Sequence, residues 1–135
     1  PLMHGQWIQA VGVDIVEVAR VRAVWMRHPA RFLARVFTAQ EVADCGGRAA
    51  SLAARWAAKE AVSKALGSGW EGICWTDIEI VRLAGGQPTV VLHGQALSAA
   101  TRLGLTQWSL SLSHSDAYAI AFVIAAGTKP EAVRE

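Results

Sequence analysis

The chain has 135 residues, of which 53% are hydrophobic and 18% are charged. This composition excludes extended disorder, and the length favours a single domain with its own core. The formal net charge of +2 is too small to indicate nucleic-acid binding by itself. We predict one domain over residues 1–126 and a flexible C-terminal tail over residues 127–135.

Cysteine content and hydrophobic runs indicate the cellular compartment. The two cysteines, Cys45 and Cys74, have neither the spacing of a metal site nor the number that a disulfide framework needs. Residues 1–7 contain no basic region followed by an apolar one, so we expect no signal peptide. The longest apolar run, residues 118–126, is too short to span a bilayer. We therefore expect a cytoplasmic protein that does not enter a membrane.

The first third of the chain is predicted to contain a strand and two helices. Residues 7–13 have the pattern of a strand that ends at Gly12-Val13-Asp14. A helix is predicted over 15–27, and Pro29 marks its end. Thr38-Ala39-Gln40-Glu41 fits a capping box that opens a short helix, which Gly46-Gly47 ends.

The rest of the chain alternates between helices and hairpins. A long helix is predicted over 51–66, with Gly67 as its C-terminal stop. It is followed by strands at 77–84 and 89–93, a helix at 96–103, and strands at 108–114 and 118–125. Because the strands come in hairpins with helices between them, the predicted class is α+β. An antiparallel sheet would pack against the long central helix.

A basic segment follows Glu17. Its five arginines, with no acidic residue among them, are Arg20, Arg22, Arg27, Arg31 and Arg35. Such a segment suits an acidic partner or phosphate groups. Arg20 and Arg27 are seven positions apart, so both project from one face of the predicted helix. The alternative is a solvated helix face with no partner.

Glu60 and Lys64 lie in the alanine-rich segment RWAAKEAVSKALGSG (residues 55–69). Their i, i+4 spacing puts both on one helix face. As an exposed ion pair they would contribute only about 0.3–0.5 kcal/mol. The surrounding apolar turns favour a more buried site, where a charged pair needs a third partner such as a metal ion or a phosphate.

Asp14 is the candidate second carboxylate, placed at the predicted end of the first strand. Two carboxylates with spare water positions are what Mg²⁺ accepts when a substrate phosphate completes its coordination. The alternative is that Asp14 caps the helix that follows.

Two further features could contact phosphate. His114 lies at the predicted junction of a strand and a turn, among serines, where an imidazole can contact phosphate or move a proton. Gly67-Ser68-Gly69 follows the long helix, and its backbone N–H groups could approach a phosphate. A plain helix C-cap explains the glycines equally well, and the motif is not a P-loop. We assign no cofactor to the six tryptophans.

Taken together, five segments resemble the holo-acyl-carrier-protein synthase family of small 4′-phosphopantetheinyl transferases. They occur in the family's order and cover nearly the whole chain apart from its ends. They are GVDIVEVARV (12–21), RFLARVFTAQEV (31–42), LAARWAAKEAVSKALGSG (52–69), WTDIEI with GGQPTVVLHG (75–80 and 85–94), and SLSLSHSDAYAIAFVIA (109–125). Trp56 stands where phenylalanine is common in the family, and its ring keeps the packing role.

The resemblance implies Mg²⁺-dependent transfer of phosphopantetheine from coenzyme A to a serine of acyl carrier protein, in support of fatty acid biosynthesis. It also implies a homotrimer with active sites at the subunit boundaries. Asp14 and Glu60 match the family's metal ligands, Lys64 matches its phosphate-facing lysine, and His114 matches its active-site histidine. The resemblance therefore implies Glu60, Lys64 and His114 as catalytic residues. Arg55 and Gly67, Ser68 and Gly69 fall in the coenzyme A region, and Arg20, with Arg27 on the same helix face, falls where the carrier protein docks.

Other interpretations remain at this stage. The client could be a polyketide or peptidyl carrier domain, or the chain could bind coenzyme A or a carrier protein without catalysis. The intact set Asp14, Glu60 and Lys64 favours an enzyme. The sequence does not identify the physiological carrier, the tolerance for acylated coenzyme A, the preference between Mg²⁺ and Mn²⁺, or the general base.

Overall fold

The computed structural model describes residues 6–67 and 70–128. Its elements in chain order are β1 (Gln6–Glu17), α1 (Val18–Arg27), α2 (Pro29–Val36), α3 (Ala39–Cys45), α4 (Ala49–Leu66), β2 (Ile78–Arg82), β3 (Pro88–Leu92), α5 (Gly94–Arg102), β4 (Leu105–His114) and β5 (Tyr118–Thr128). One antiparallel sheet has the strand order β1-β5-β4, and β2 pairs with β3 in a separate antiparallel hairpin. The predicted α+β class is confirmed.

The three-stranded sheet has one buried and one exposed face, because successive side chains along a strand point to opposite sides. On β5, Ala119, Ala121 and Val123 are fully buried, whereas Ile120 and Phe122 are 40% and 49% exposed. The buried face packs against α4, as predicted for the long central helix.

The outer face of this sheet is an exposed apolar patch. On β1, Val11, Val13 and Ile15 are each more than half exposed. They pair across the sheet with Ile124, Phe122 and Ile120 of β5, respectively. Contiguous exposed apolar surface of this kind is typical of a protein–protein interface.

Other elements enclose helix α4 on nearly every side, so most of its residues are buried. Ala53, Ala57, Ala58 and Ala61 are fully buried, and their small side chains let the helix approach the sheet closely. A Cβ atom added at Gly12 would lie 1.9 Å from the carbonyl oxygen of Ala61. The contact between β1 and α4 therefore depends on a glycine at this position.

The first strand is longer than the hydrophobic pattern predicted. It runs to Glu17 because every residue from Ala10 to Glu17 pairs with β5. The following helix begins at Val18 and not at Ile15. Asp14 therefore lies inside a strand, and its interpretation as a helix cap is wrong. The sheet partner, distant in sequence, overrides the local helical pattern.

Helix α2 was not predicted. Pro29, taken as the end of the preceding helix, instead occupies the first turn of α2. Proline is tolerated there because the first-turn N–H groups have no intrahelical acceptor.

Two predicted helix boundaries are confirmed in atomic detail. At the start of α3, the Glu41 backbone N–H donates to Thr38 Oγ1 at 3.2 Å, and the Thr38 N–H donates to Glu41 Oε1 at 2.9 Å. At the end of α4, Gly67 has a φ of +77°, which ends the helix in the left-handed conformation that glycine favours.

The predicted elements of the second half are present, with small shifts in their bounds. Strand β5 continues to Thr128, so Gly127 and Thr128 belong to the sheet, although we assigned them to the tail. The rest of the predicted tail, 129–135, lies outside the described residues. Within the described part of the chain, no helix is long and apolar enough to cross a bilayer.

Candidate active site

Asp14 and Lys64 meet where β1 crosses α4. Lys64 Nζ donates to Asp14 Oδ1 at 3.0 Å and to the Val13 carbonyl oxygen at 2.9 Å. The Lys64 side chain is 53% exposed and that of Asp14 is 18% exposed. An ion pair with this exposure contributes about 0.2–1 kcal/mol to stability. The ammonium group therefore remains accessible to an anionic ligand.

Glu60 lies one helical turn before Lys64, on the same face of α4. The expected Glu60–Lys64 ion pair is not among those of the described residues, since Lys64 pairs with Asp14. Glu60 Oε2 instead accepts a hydrogen bond of 3.2 Å from the Trp70 indole N–H. The Glu60 backbone oxygen accepts a hydrogen bond of 2.7 Å from the Ser63 hydroxyl.

The two carboxylates have the donor chemistry of a magnesium site. Asp14 Oδ2 and Glu60 Oε1 receive no hydrogen bond from a described residue. The described residues form no cluster of three or more His, Cys, Asp or Glu side chains that could hold a metal. Mg²⁺ is commonly bound through one or two carboxylates plus substrate phosphates and water, so this donor set fits Mg²⁺.

Arg55 is a second functional candidate, and it lies away from Asp14 and Lys64. It is buried, with 5% of its surface exposed, and its Nε has no hydrogen-bond partner among the described residues. One of its terminal nitrogens is 3.9 Å from Asp44 Oδ2, beyond hydrogen-bond distance. A buried guanidinium with an unpartnered N–H is under-satisfied, and an anionic ligand would supply the missing acceptor.

Arg55 lines an open cleft of about 370 Å³. His114, at the end of β4, and Arg82, at the end of β2, line the same cleft. Two arginines and a histidine around one cleft suit an anion such as a phosphate. The residues described around this cleft include neither Asp14 nor Lys64.

Arg55, which lines the cleft, and Lys64, which pairs with Asp14, project from opposite faces of α4. Arg55 and Lys64 are nine positions apart, which is about 180° around the helix and about 14 Å along it. Asp14 and His114 lie on β1 and β4, the two edges of the sheet, with β5 between them. Two strand spacings separate those edges by about 9.5 Å. Within one chain, the cleft and the carboxylates are therefore two separate sites.

The remaining predicted residues are only partly described. Gly67 caps α4, while Ser68 and Gly69 lie outside the described residues. Arg20 and Arg27 are both exposed on α1.

A buried ion pair escaped the sequence analysis. Lys59 is fully buried, and its Nζ donates to Glu41 Oε1 at 2.8 Å, to the Trp75 carbonyl at 3.0 Å and to the Ile78 carbonyl. Glu41 Oε2 accepts from the Ile80 backbone N–H at 2.9 Å. Burial lowers the pKa of Lys59, and the facing Glu41 carboxylate opposes that shift. The pair links α3, α4 and β2 beside Glu60.

Sequence reasoning also missed Trp70 and Arg82. Glu41 was expected only as a capping residue, although a capping box leading into a core helix could have indicated a buried carboxylate. No local pattern indicates that Arg82 and Arg55 line the same cleft, because their elements meet only in the tertiary structure.

The α+β fold, with charged residues on a buried central helix, corresponds to a known class of transferase. Residues 10–123 match the family model described as the 4′-phosphopantetheinyl transferase superfamily. That match covers both groups of site residues, from Asp14 to His114.

Similar proteins identify the family within this superfamily. The chain is 45% identical over 130 residues to the holo-[acyl-carrier-protein] synthase of Gloeobacter violaceus, covering 93% of this chain and 98% of the relative. It is 53% identical over 116 residues to the Moorella thermoacetica protein of that name, covering 84% and 90%. The chain therefore belongs to the holo-[acyl-carrier-protein] synthase family within that superfamily.

A solved structure shares the fold. The Helicobacter pylori holo-[acyl-carrier-protein] synthase, in complex with coenzyme A, matches with a TM-score of 0.78 and 31% identity. The match covers 85% of this chain and 98% of that one. The family resemblance indicated by the five sequence segments is confirmed.

Proposed function

We propose that this chain transfers the 4′-phosphopantetheine arm of coenzyme A to a serine hydroxyl of apo-acyl carrier protein. The other product is adenosine 3′,5′-bisphosphate. The observation that carries the proposal is the contact of Lys64 Nζ with Asp14 Oδ1, at 3.0 Å, beside Glu60 on the same helix face. It gives two carboxylates and an accessible cation, the groups that a pyrophosphate substrate needs. The names of the relatives give the reaction class.

Asp14 and Glu60 would hold Mg²⁺ through Oδ2 and Oε1, the oxygens without a described hydrogen bond. When bound, the metal would neutralise charge on the pyrophosphate oxygens. The same oxygen ligands suit both Mg²⁺ and Mn²⁺.

The reaction is an in-line displacement at the phosphorus that bears the pantetheine. The serine oxygen forms a new bond to that phosphorus, and the bond from phosphorus to the oxygen of the adenosine bisphosphate breaks. Glu60, through a bound water, takes the serine proton. Lys64 Nζ stabilises the charge that develops on the departing phosphate and supplies it with a proton.

The cleft that Arg55 and His114 share would bind the nucleotide end of coenzyme A. The unpartnered Arg55 Nε and the neighbouring His114 offer donors to a phosphate. We also propose that the backbone N–H groups of Gly67, Ser68 and Gly69 contact a phosphate of coenzyme A. The resemblance supports these assignments, as does the Helicobacter pylori structure, which was solved with coenzyme A.

One coenzyme A would then be shared between two copies of the chain, in a homotrimer. In one chain, Arg55 and Lys64 leave α4 on opposite faces, so the two groups do not face each other across one site. The exposed apolar face formed by Val13, Ile15 and Phe122 offers a surface for assembly. The acidic carrier protein would dock on Arg20 and Arg27, exposed on α1. We place the enzyme in fatty acid biosynthesis in the cytoplasm.

The proposal is tested by intact mass. Incubation of the protein with coenzyme A, Mg²⁺ and apo-acyl carrier protein should raise the carrier's mass by one phosphopantetheine. Polyketide and peptidyl carrier domains in parallel reactions identify the preferred client. Binding of coenzyme A with no mass change on any carrier would indicate a binding module and contradict the proposal.

The shared site has its own test, by mixing two inactive variants. Chains carrying Lys64→Ala and chains carrying His114→Ala are co-expressed, so that each lacks a different half of the site. In randomly mixed trimers, about one quarter of the subunit boundaries would combine two intact halves and restore activity in proportion. Activity no higher than that of either variant alone would show that each site is built within one chain.

A further inference from the structure

An aromatic stack runs from α2 to the segment that follows α4. The ring centroids of Phe32 and Trp56 are 5.8 Å apart, those of Trp56 and Trp75 are 4.6 Å apart, and those of Trp75 and Trp70 are 4.1 Å apart. The three indoles are partly buried against the core. Large packed rings have little freedom to move, so the stack holds the Trp70 indole in one orientation.

Trp70 ends the stack at the candidate metal site. Its Nε1 donates to Glu60 Oε2 at 3.2 Å. An indole N–H is only ever a donor and carries no charge, so it satisfies one carboxylate oxygen without neutralising the group. Oε1, the other oxygen, receives no hydrogen bond from a described residue.

We propose that Trp70 is a positioning residue, which fixes the Glu60 carboxylate so that Oε1 is presented to the metal. This inference rests on the proposed function, in which Glu60 is a ligand of Mg²⁺. Without the indole N–H, the carboxylate can rotate about its side-chain torsions and must be ordered when the metal binds. Residues that orient a metal ligand in this way typically contribute about 10–100-fold in metal affinity.

The alternative is that Trp70 only fills space. Trp70→Phe separates the two, because phenylalanine keeps an aromatic ring on Trp75 and removes the N–H donor. Trp56→Phe is the matched control, since it makes the same change on the far side of Trp75 and leaves the hydrogen bond from Trp70 to Glu60 in place.

The experiment measures metal binding without turnover. Mn²⁺ is titrated into the protein saturated with coenzyme A, without carrier protein, and free Mn²⁺ is read by electron paramagnetic resonance. We expect Trp70→Phe to weaken Mn²⁺ binding about tenfold and Trp56→Phe to leave it unchanged. Coenzyme A affinity without metal, measured by calorimetry, should be the same for all three proteins.

Three results overturn the inference, and they are distinguishable. If Glu60→Gln weakens Mn²⁺ binding and Trp70→Phe does not, the proposed metal site stands and Trp70 has only a packing role. If Glu60→Gln leaves Mn²⁺ binding unchanged, Glu60 is not a metal ligand, and both the proposed metal site and the positioning role fail. Equal weakening by Trp56→Phe would also overturn it, because the effect would then follow the stack and not the N–H donor.

Discussion

Gly12 of β1 and Ala61 of α4 approach each other so closely that a residue with a Cβ atom does not fit at position 12 unless the backbone shifts. A Cβ atom at Gly12 would lie 1.9 Å from the Ala61 carbonyl oxygen. Asp14 follows Gly12 by two residues and Lys64 follows Ala61 by three, and these two side chains meet. The absent side chain of Gly12 therefore sets the distance between β1 and α4 on which the candidate site depends.

We predict that Gly12→Ala destabilises the protein by about 3 kcal/mol, since overpacking must push the strand away from the helix. Turnover should fall as well, because Asp14 moves relative to Lys64. Gly47→Ala is the control: nothing lies within 4 Å of the added carbon, and a positive φ of 76° adds a cost of about 1–2 kcal/mol. Urea denaturation measures both. Equal losses would mean that Gly12 is not a close-contact position.

Lys64→Ala is expected to leave the free energy of unfolding within about 1 kcal/mol of the wild type, because its ion pair is exposed. Phosphopantetheine transfer should slow about 10²–10³-fold through loss of charge stabilisation on the leaving phosphate. Arg102→Ala, which removes a cation from α5, should change neither quantity. A lowered melting temperature with normal turnover would make Lys64 a structural partner of Asp14.

Lys59→Met is expected to cost about 3–5 kcal/mol, because it leaves the Glu41 carboxylate buried and uncompensated. Combining it with Glu41→Gln removes that charge and keeps a side-chain oxygen for the Ile80 N–H. Part of the loss should then be recovered, with a coupling of about 0.5–3 kcal/mol in the double-mutant cycle. Additive losses, measured by denaturation at neutral pH, would contradict a direct interaction between the two charges.

The lowered pKa of the Glu79 carboxyl group makes us expect that the stability of the protein depends on pH. Burial raises its pKa, but hydrogen bonds from His93 at 3.0 Å and Thr38 at 2.8 Å outweigh burial, so the pKa is lowered overall. A lowered folded-state pKa gives stability that is present above the unfolded pKa of about 4.3 and is lost as the pH falls through the folded value.

The wild type should therefore be more stable than Glu79→Gln at pH 6, and the difference should shrink below about pH 4. Denaturation curves at pH 6, 4 and 3 measure this change. Glu71→Gln, an exposed carboxylate, provides the control for general acid effects. A difference that is constant across this range would show that ionised Glu79 makes no net contribution to stability.

Arg20→Glu is expected to raise the apparent KM for carrier protein while the KM for coenzyme A stays the same. Docking charges act through long-range attraction that salt screens, so the wild-type advantage should shrink as ionic strength rises. Arg102→Glu gives the same charge change on α5 and should leave both KM values unchanged. A defect in coenzyme A binding, or one indifferent to salt, would remove Arg20 from the docking face.

The sequence by itself determined the features that depend on neighbours along the chain. The Thr38–Glu41 capping box, the Gly67 end of α4 and the hairpin of β2 and β3 follow from short-range hydrogen bonds and turn preferences. Asp14, Glu60 and Lys64 also predicted a phosphate site, and that stays a prediction. The burial expected for the charged pair is wrong for Lys64, whose side chain is 53% exposed.

Only the tertiary structure decided how those charges are arranged. Asp14 and Lys64 are 50 positions apart, and they meet because β1 pairs with β5 as far as Glu17 and packs on α4 at Gly12. The same packing brings Arg55, Arg82 and His114 around one cleft and buries Lys59 against Glu41. These contacts depend on which distant segments compete best for burial and pairing, and no local pattern encodes that competition.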